Sequence, residues 1–290
     1  MKPAPFDYHA PETIDEVVQL LTDLDDAKVL AGGQSFIPLL SMRLAVFEHV
    51  VDLRRVEELR GIETHDDSVR IGAATTQATV ERDAEVARLV PLLSRALPLI
   101  GHFQIRNRGT IGGSLAHADP ASELPAVALA LDAEFEAASV RGRRVIPASE
   151  FFTGTWSTAL DEDEILVGVR FPVWSGRCGF AVKEVTRRHG DFAMAGACVA
   201  VEVDHSGTVA RCAIGLFALG STPLRATAAE QSIVGVPASE VDAAALGRAA
   251  VADLGSIPAD LNGSSDYHRR IGATVVGRAW TSAIEEALRD

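Results

Sequence analysis

Two short segments of this 290-residue chain carry residue types suited to gripping an anion. The first, Ala31-Gly32-Gly33-Gln34-Ser35, follows the apolar run Lys28-Val29-Leu30-Ala31. Successive glycines let the backbone turn with positive φ and leave N–H groups unobstructed. Such a turn at the head of a helix can hold a diphosphate through main-chain donors without a lysine, and Ser35 adds a hydroxyl donor. A tight strand-to-helix turn explains the same residues without any ligand. The segment is neither a GxGxxG fingerprint nor a GxxxxGK[ST] phosphate loop, and neither occurs elsewhere in the chain.

The second segment runs Gln104-Ile105-Arg106-Asn107-Arg108-Gly109-Thr110-Ile111-Gly112-Gly113-Ser114. It joins two arginines and a hydroxyl to another paired glycine, and a local basic field can attract an anion even in an acidic protein. Just beyond it, His117-Ala118-Asp119-Pro120-Ala121-Ser122-Glu123 offers acidic oxygens that could accept from sugar-type hydroxyls. Each residue alone reads equally as a cap or turn residue. Two decorated double-glycine segments in one chain are harder to assign to turns alone.

Composition narrows the class of protein. Lys plus Arg total 27 against 40 Asp plus Glu, a formal charge of −13, which disfavours binding nucleic acid along an extended basic face. Hydrophobic residues at 47% and charged residues at 23% fit a folded chain, and the length suits about two domains at roughly 150 residues each. Neither a signal-peptide core nor an apolar stretch of about 18 residues is present, so a soluble cytoplasmic protein without a membrane span is expected. Cys178, Cys198 and Cys212 form no CxxC pair and read as buried structural thiols. The eight histidines show no HxH or HxxxH spacing, so no metal or iron–sulfur site is expected in this chain. His102 and His117 are the best placed for a polar role, with surface or supporting positions as the simpler reading.

Several elements must position these segments. Thr13 and Glu16 in capping-box spacing, followed by Ile14, Val17, Val18 and Leu21, predict a helix over 11–24. A strand at 28–31, a helix at 36–44 and a strand at 49–53 complete a compact α/β unit. Further on, a strand is expected at 69–73, helices broken by Pro91 and Pro98 at 77–100, and a helix at 123–131. A hairpin is expected around 140–146. The Asp161-Glu162-Asp163-Glu164 run reads as a solvated turn. Ile165, Val167, Val169 and Phe171 alternate as in a half-buried strand ended by Pro172. After a junction at 175–177, two β-type runs at 196–204 and 209–219 precede helical patterns from 227 onward.

Taken together, the two glycine segments and His117-Ala118-Asp119-Pro120 resemble the FAD-binding medium subunits of molybdenum hydroxylases, the carbon monoxide dehydrogenase and xanthine dehydrogenase flavoproteins. Further segments match in order: Phe151-Phe152-Thr153-Gly154, Asp163-Glu164-Ile165-Leu166, Phe180-Ala181-Val182-Lys183, Arg187-Arg188-His189-Gly190-Asp191 and Asp260-Leu261-Asn262-Gly263-Ser264-Ser265-Asp266-Tyr267. The resemblance spans nearly the whole chain. It implies an α+β fold: a two-lobed FAD-binding domain of the vanillyl-alcohol-oxidase type over 1–176, with lobes of about 1–55 and 56–176. A smaller C-terminal domain of antiparallel sheet plus helices would follow over 177–290.

By the same resemblance, Val29, Leu30, Ala31, Gly32, Gly33, Gln34, Ser35 and Phe36 would wrap the FAD diphosphate together with Thr110, Ile111, Gly112, Gly113 and Ser114. Ile100 would pack near the cofactor, Leu166 would give a backbone contact on the adenine side, and Lys183 would lie near the flavin. Glu123 stands where many relatives have Asp, which keeps the carboxylate and lengthens its reach. Ser114 replaces the usual Asn or Asp. No catalytic residue and no metal ligand is expected.

The resemblance further implies two partners, a small subunit with two [2Fe–2S] clusters and a large molybdopterin subunit, in a dimer of heterotrimers. Electrons would pass from the clusters through FAD to NAD or another acceptor. A self-sufficient flavin oxidoreductase of the same superfamily is the alternative, and a flavin-free module whose glycine turns are purely structural is a third. Gly33→Val is expected to abolish FAD retention in a chain that still folds, because a branched Cβ blocks close backbone approach. Flavin absorbance per chain after purification measures this, and an unchanged ratio contradicts it.

Overall fold

The computed structural model describes residues 2–289. The chain opens with β1 (Asp7–His9), α1 (Ile14–Asp23), β2 (Ala27–Leu30), α2 (Phe36–Ser41) and β3 (His49–Asp52). These form a parallel three-stranded sheet in the order β1-β3-β2. α1 starts where expected: Thr13 Oγ1 accepts from the Glu16 N–H at 3.2 Å, and the Glu16 carboxylate accepts from the Glu12 N–H at 2.7 Å. The first is an orphan donor of the helix start; the second belongs to the residue just before the cap. Its apolar stripe of Ile14, Val17, Val18 and Leu21 is buried with Leu53, Val56 and Leu59.

The second lobe contains β4 (Ile62–Thr64), β5 (Ser68–Gly72), α3 (Gln77–Glu81), α4 (Ala84–Leu89), α5 (Pro91–Ala96), α6 (Phe103–Arg106), α7 (Ile111–His117) and α8 (Glu123–Ala130). It continues through β6 (Glu134–Ser139), β7 (Gly142–Pro147), α9 (Ala148–Phe151), β8 (Phe152–Gly154), β9 (Ser157–Thr158) and β10 (Ile165–Pro172). Five strands make an antiparallel sheet in the order β4-β5-β10-β6-β7. The expected hairpin is β6–β7, turning at Val140 and Arg141.

β10 departs from the half-buried strand that its alternation predicts. It is the central strand, and 164–169 are all buried. A bulge between Leu166 and Gly168 reverses the phase of its side chains. Ile165 and Val167 therefore face the α1 core, whereas Val169 and Phe171 join the main core with Leu166. One uninterrupted alternation thus serves two hydrophobic cores. The acidic run before it is also more than a solvated turn. Glu164 is buried and bonded to Arg144 at 2.8 and 2.6 Å, while Arg141 reaches Asp161 at 2.9 Å and also bonds Asp163.

The remaining chain forms β11 (Arg177–Val185), β12 (Ala195–Val203), β13 (Val209–Phe217), β14 (Leu224–Arg225), α10 (Thr227–Ile233), α11 (Ala243–Ala252) and α12 (Ser265–Ala287). The strands pair antiparallel in the order β11-β12-β13-β14. Ala181, Val199, Val201 and Ile214 pack with Leu246, Val276 and Trp280 of α11 and α12. The opposite face, with Phe180, Cys198, Ala200, Ala213 and Phe217, joins the main core of the second lobe. This architecture is the expected α+β fold, a two-lobed unit followed by a sheet-and-helix domain. Cys198 and Cys212 are buried as expected, but Cys178 is half-buried, its Sγ donating to the Ser175 carbonyl at 3.3 Å. Burial pushes the Cys178 thiol up to about 11.

At the centre of the second lobe, Phe135 stacks on Phe151 with ring centroids 3.9 Å apart and meets Phe152 edge-on at 5.7 Å. Phe135→Ala is expected to lower the unfolding free energy by about 3–5 kcal/mol, read as a lower urea midpoint with an unchanged slope. A loss below about 1 kcal/mol would show that this ring cluster does not hold the lobe together.

Candidate functional site

The two glycine segments meet. A Cβ built on Gly32 would lie 2.3 Å from the Arg108 carbonyl oxygen and 2.7 Å from the Gly109 Cα, far inside the 3.5–4.0 Å of normal atomic contact. From the other side, a Cβ on Gly113 would lie 3.2 Å from the Ala31 Cβ. Gly33 has φ +73°, a conformation that only glycine adopts without strain. The turn is braced from within, since Gln34 Nε2 donates to the Gly32 carbonyl at 3.0 Å and the Ile37 N–H to the Gly33 carbonyl at 3.1 Å. Residues 29–36 are all half-buried. Among the described residues, no group accepts from the backbone N–H of Gly32, Gly33 or Gln34.

The second segment differs from a loop. Thr110 is the N-cap of α7, so Gly112 and Gly113 lie in the first turn of a helix. The N–H groups of this turn are already engaged: Ile111 with the Thr75 carbonyl at 3.0 Å, Gly112 with the Ala73 carbonyl at 2.9 Å, Gly113 with Thr110 Oγ1 at 3.0 Å and Ser114 with the Thr110 carbonyl at 3.1 Å. Open main-chain donors therefore lie on the first segment. The second contributes close approach and hydroxyls, with Ser114 Oγ 3.3 Å from Ser122 Oγ. Glu123 follows Ser122 as the first residue of α8 and is 6% exposed.

Charge at this end of the molecule is arranged by burial. Desolvation, with Glu184 and Asp119 adding to it, pushes the Glu123 carboxyl up to about 8. Desolvation pushes Glu184 up to about 7, and its Oε2 is buried without a hydrogen-bond partner. His117 is held below its usual range by burial and by Lys28, against the opposing pull of Asp119. Its ring stacks on Trp156 at 6.5 Å and 18°. Trp156 donates from Nε1 to Asp119 at 3.2 Å and is 66% exposed.

The other expected site residues fall into different settings. Ile100 is half-buried, packed on the main core where α5 gives way to α6. Leu166 is buried in β10, whose Val167 carbonyl accepts from Ala73 at 3.1 Å; Ala73 in turn accepts from Gly112. That relay ties the strand of Leu166 to the head of α7. Lys183 is exposed and lines a cleft of about 360 Å³ with Arg95, Glu286 and Arg289. Strand alternation places it on the α12 side of β11, so the residue facing α8 is its neighbour Glu184.

Some contributors were not legible as such. Arg106, a cation of the expected basic cluster, is 8% exposed and committed to Glu81 at 2.7 and 3.1 Å and to the Ile100 carbonyl at 3.0 Å. It fixes the chain at Ile100 and presents no free charge. The segment 186–194 closes over the same place, for a Cβ on Gly190 would lie 2.8 Å from His102 Cε1 and 3.1 Å from the Gly101 carbonyl. Buried His268 holds that segment, with Nδ1 2.9 Å from the Met194 carbonyl and Nε2 3.1 Å from Asp260. The Asp260-Asn262-Gly263 turn was the available signal. Among the described residues, no cluster of three or more His, Cys, Asp or Glu could hold a metal, and no helix is long and apolar enough to cross a membrane.

Open N–H groups, hydroxyls and a neutralised carboxyl suit a ligand with a diphosphate and a hydroxylated chain. Residues 4–174 match the family model for the FAD-binding domain in molybdopterin dehydrogenase, and 180–283 match the carbon monoxide dehydrogenase flavoprotein C-terminal domain. The chain is 40% identical to the 6-hydroxypseudooxynicotine dehydrogenase complex subunit alpha of Paenarthrobacter nicotinovorans, over 99% of this chain and 97% of that one. It is 38% identical to the carbon monoxide dehydrogenase medium chain of Hydrogenophaga pseudoflava, over 98% of each. The solved carbon monoxide dehydrogenase from that organism, lacking the Mo-pyranopterin moiety of its molybdenum cofactor, superposes with a TM-score of 0.95 at 39% identity over 99% of both chains. The chain belongs to the FAD-binding medium subunits of the molybdopterin dehydrogenase family and is an oxidoreductase subunit whose cofactor is FAD.

Proposed function

We propose that this chain is the electron-transfer subunit of a cytoplasmic molybdenum-containing hydroxylase or dehydrogenase. It receives electrons from [2Fe–2S] clusters of a small partner subunit and delivers them to NAD or another acceptor. Substrate hydroxylation belongs to a large molybdopterin subunit, in a dimer of heterotrimers. Residues 1–176, in lobes of about 1–55 and 56–176, hold the cofactor, and 177–290 cover it. FAD supplies both one- and two-electron exchange when bound.

The chain's own residues bind and orient. The N–H groups of Gly32, Gly33 and Gln34 donate to the diphosphate, and Thr110 to Ser114 form the opposite wall with hydroxyls. Val29, Leu30, Ala31, Ser35 and Phe36 shape the first wall. Glu123 would meet a hydroxyl of the cofactor, Ile100 would pack against it and Leu166 would stand at its edge, whereas Lys183, expected near the flavin, lies on the α12 side of β11 in the cleft with Arg95 and Glu286. The single observation that carries this reading is the contact at Gly32, where any Cβ would force the segments apart while three main-chain donors remain open.

The test compares the full chain alone with the chain co-expressed with its partner subunits. Alone, it is expected to bind FAD near one per chain and to turn over no organic substrate; with the partners, substrate is expected to bleach the flavin absorbance. Strong substrate turnover by the isolated chain would favour a self-sufficient flavin oxidoreductase. A colourless chain with no FAD binding by calorimetry would overturn the cofactor assignment.

A further inference from the structure

Trp156 occupies a backbone conformation that its side chain makes costly. It is the second of the two residues that turn from β8 to β9, with φ +55°, a left-handed position that Gly or Asn usually fills. Two more non-glycine residues adopt that conformation beside it, Ala118 at +50° and Ala218 at +61°. The three converge on the loop between α7 and α8. The Trp156 N–H donates to the Ala118 carbonyl at 3.2 Å and the Ala218 N–H to the Pro120 carbonyl at 2.7 Å, while Thr155 Oγ1 donates to the Ser221 carbonyl at 3.2 Å. Strain of this kind persists where the surrounding structure over-determines it, and it concentrates at ligand sites.

The strained turn holds a large aromatic side chain whose surface is mostly uncovered. Trp156 is 66% exposed, yet its Nε1 donates to Asp119 Oδ2 at 3.2 Å and its ring lies within 18° of parallel to His117, centroids 6.5 Å apart. Backbone and indole are therefore both fixed. The loop that fixes them links two groups of the candidate site: Ser114 Oγ of α7 is 3.3 Å from Ser122 Oγ, and Glu123 follows at the start of α8. The first wall is near as well, for the charge of Lys28 in β2 is felt at His117, and Lys28 Nζ lies 5.9 Å over the Phe47 ring, which meets Phe36 at 5.6 Å. An indole held open and rigid is suited to stacking on a second flat ring, because its ordering is complete before the ligand arrives.

We propose that Trp156 is a further cofactor-binding residue, whose open face stacks on one of the two planar rings of FAD. This rests on the reading that residues 29–36 and 110–114 hold the diphosphate, from which both rings extend. Stacking between an aromatic side chain and a heterocycle depends on the flat face and little on which ring supplies it. The two halves of the cofactor therefore serve as probes: ADP carries the adenine ring and FMN the flavin, each with phosphate.

Hydroxyl-radical footprinting of the full wild-type chain, read by mass spectrometry, tests the contact without a variant. Oxidation of Trp156 is expected to be lost when FAD saturates the chain, and to be lost with ADP or with FMN but not with both. Calorimetry then compares variants. Trp156→Ala is expected to weaken FAD and the protecting half by about tenfold while the other half binds as in wild type. Trp156→Phe keeps a ring and is expected to retain most of the affinity. Truncating a side chain this exposed leaves the urea midpoint near that of wild type, and a purely structural role would weaken both halves together. Trp156 oxidised equally with and without bound FAD, or ADP and FMN affinities both lowered or both unchanged in Trp156→Ala, would overturn the proposal. The footprint decides even where one half binds too weakly to measure. A wild-type chain that binds no FAD by calorimetry would instead overturn the proposed function.

Discussion

The site depends on one steric constraint: the backbone at Gly32 touches the backbone at Arg108 and Gly109 with no room for a single extra carbon. That contact sets the parallel first lobe against the head of α7, so the order and spacing of the two walls follow from it. It also divides their labour. Because α7 spends its N-terminal donors on Ala73, Thr75 and Thr110, it is a rigid wall rather than a second set of anion donors. The first segment keeps its donors open because it turns through a positive φ at Gly33 and has no strand neighbour. Buried backbone polar groups are normally paired, and open ones at a half-buried turn mark where a ligand completes the structure.

Charge is handled in the opposite way from the simple expectation of a basic lining. Arg106 is neutralised by Glu81 and spends its remaining donors on backbone carbonyls. Arg70 is likewise taken up by Glu136 and Glu63. In a chain of net charge −13, the open donors at this end are the main-chain N–H groups of residues 32–34, and burial pushes the nearby Glu123 and Glu184 carboxyls up. Both devices work over short range, where a low local dielectric makes each dipole count.

The C-terminal domain contributes by covering. Its 186–194 segment reaches Gly101 and His102 through Gly190, and His268 of α12 anchors that segment at Met194. The anchor in turn leans on the Asp260 turn. A chain of hydrogen bonds thus runs from a surface turn near the end of the sequence to Ile100, which Arg106 holds from the other side. The 186–194 segment and the chain at Ile100 are therefore positioned by the same few residues.

The sequence by itself determined the local signals and the family. The capping box at Thr13, the paired glycines, the strand–turn–helix at 28–44 and the in-order motifs depend on neighbours in sequence, where propensity and hydrogen-bond geometry act directly. What depended on distant partners was not legible. Thr110 is a local cap for α7 through Gly113, but that the Ile111 and Gly112 N–H groups are taken by Thr75 and Ala73, some forty positions earlier, was not legible. The phase reversal in β10 is invisible because the bulge leaves the alternation of residue types untouched. β11 went unread because its mixed residues serve two different faces. Arg106 changed from a candidate ligand to a structural clamp, and Glu184 turned out to lie with a buried, unpartnered oxygen on the second-lobe side of β11, for one reason: a side chain's charge is set by what folding brings within a few ångströms of it, and only the tertiary structure decides that.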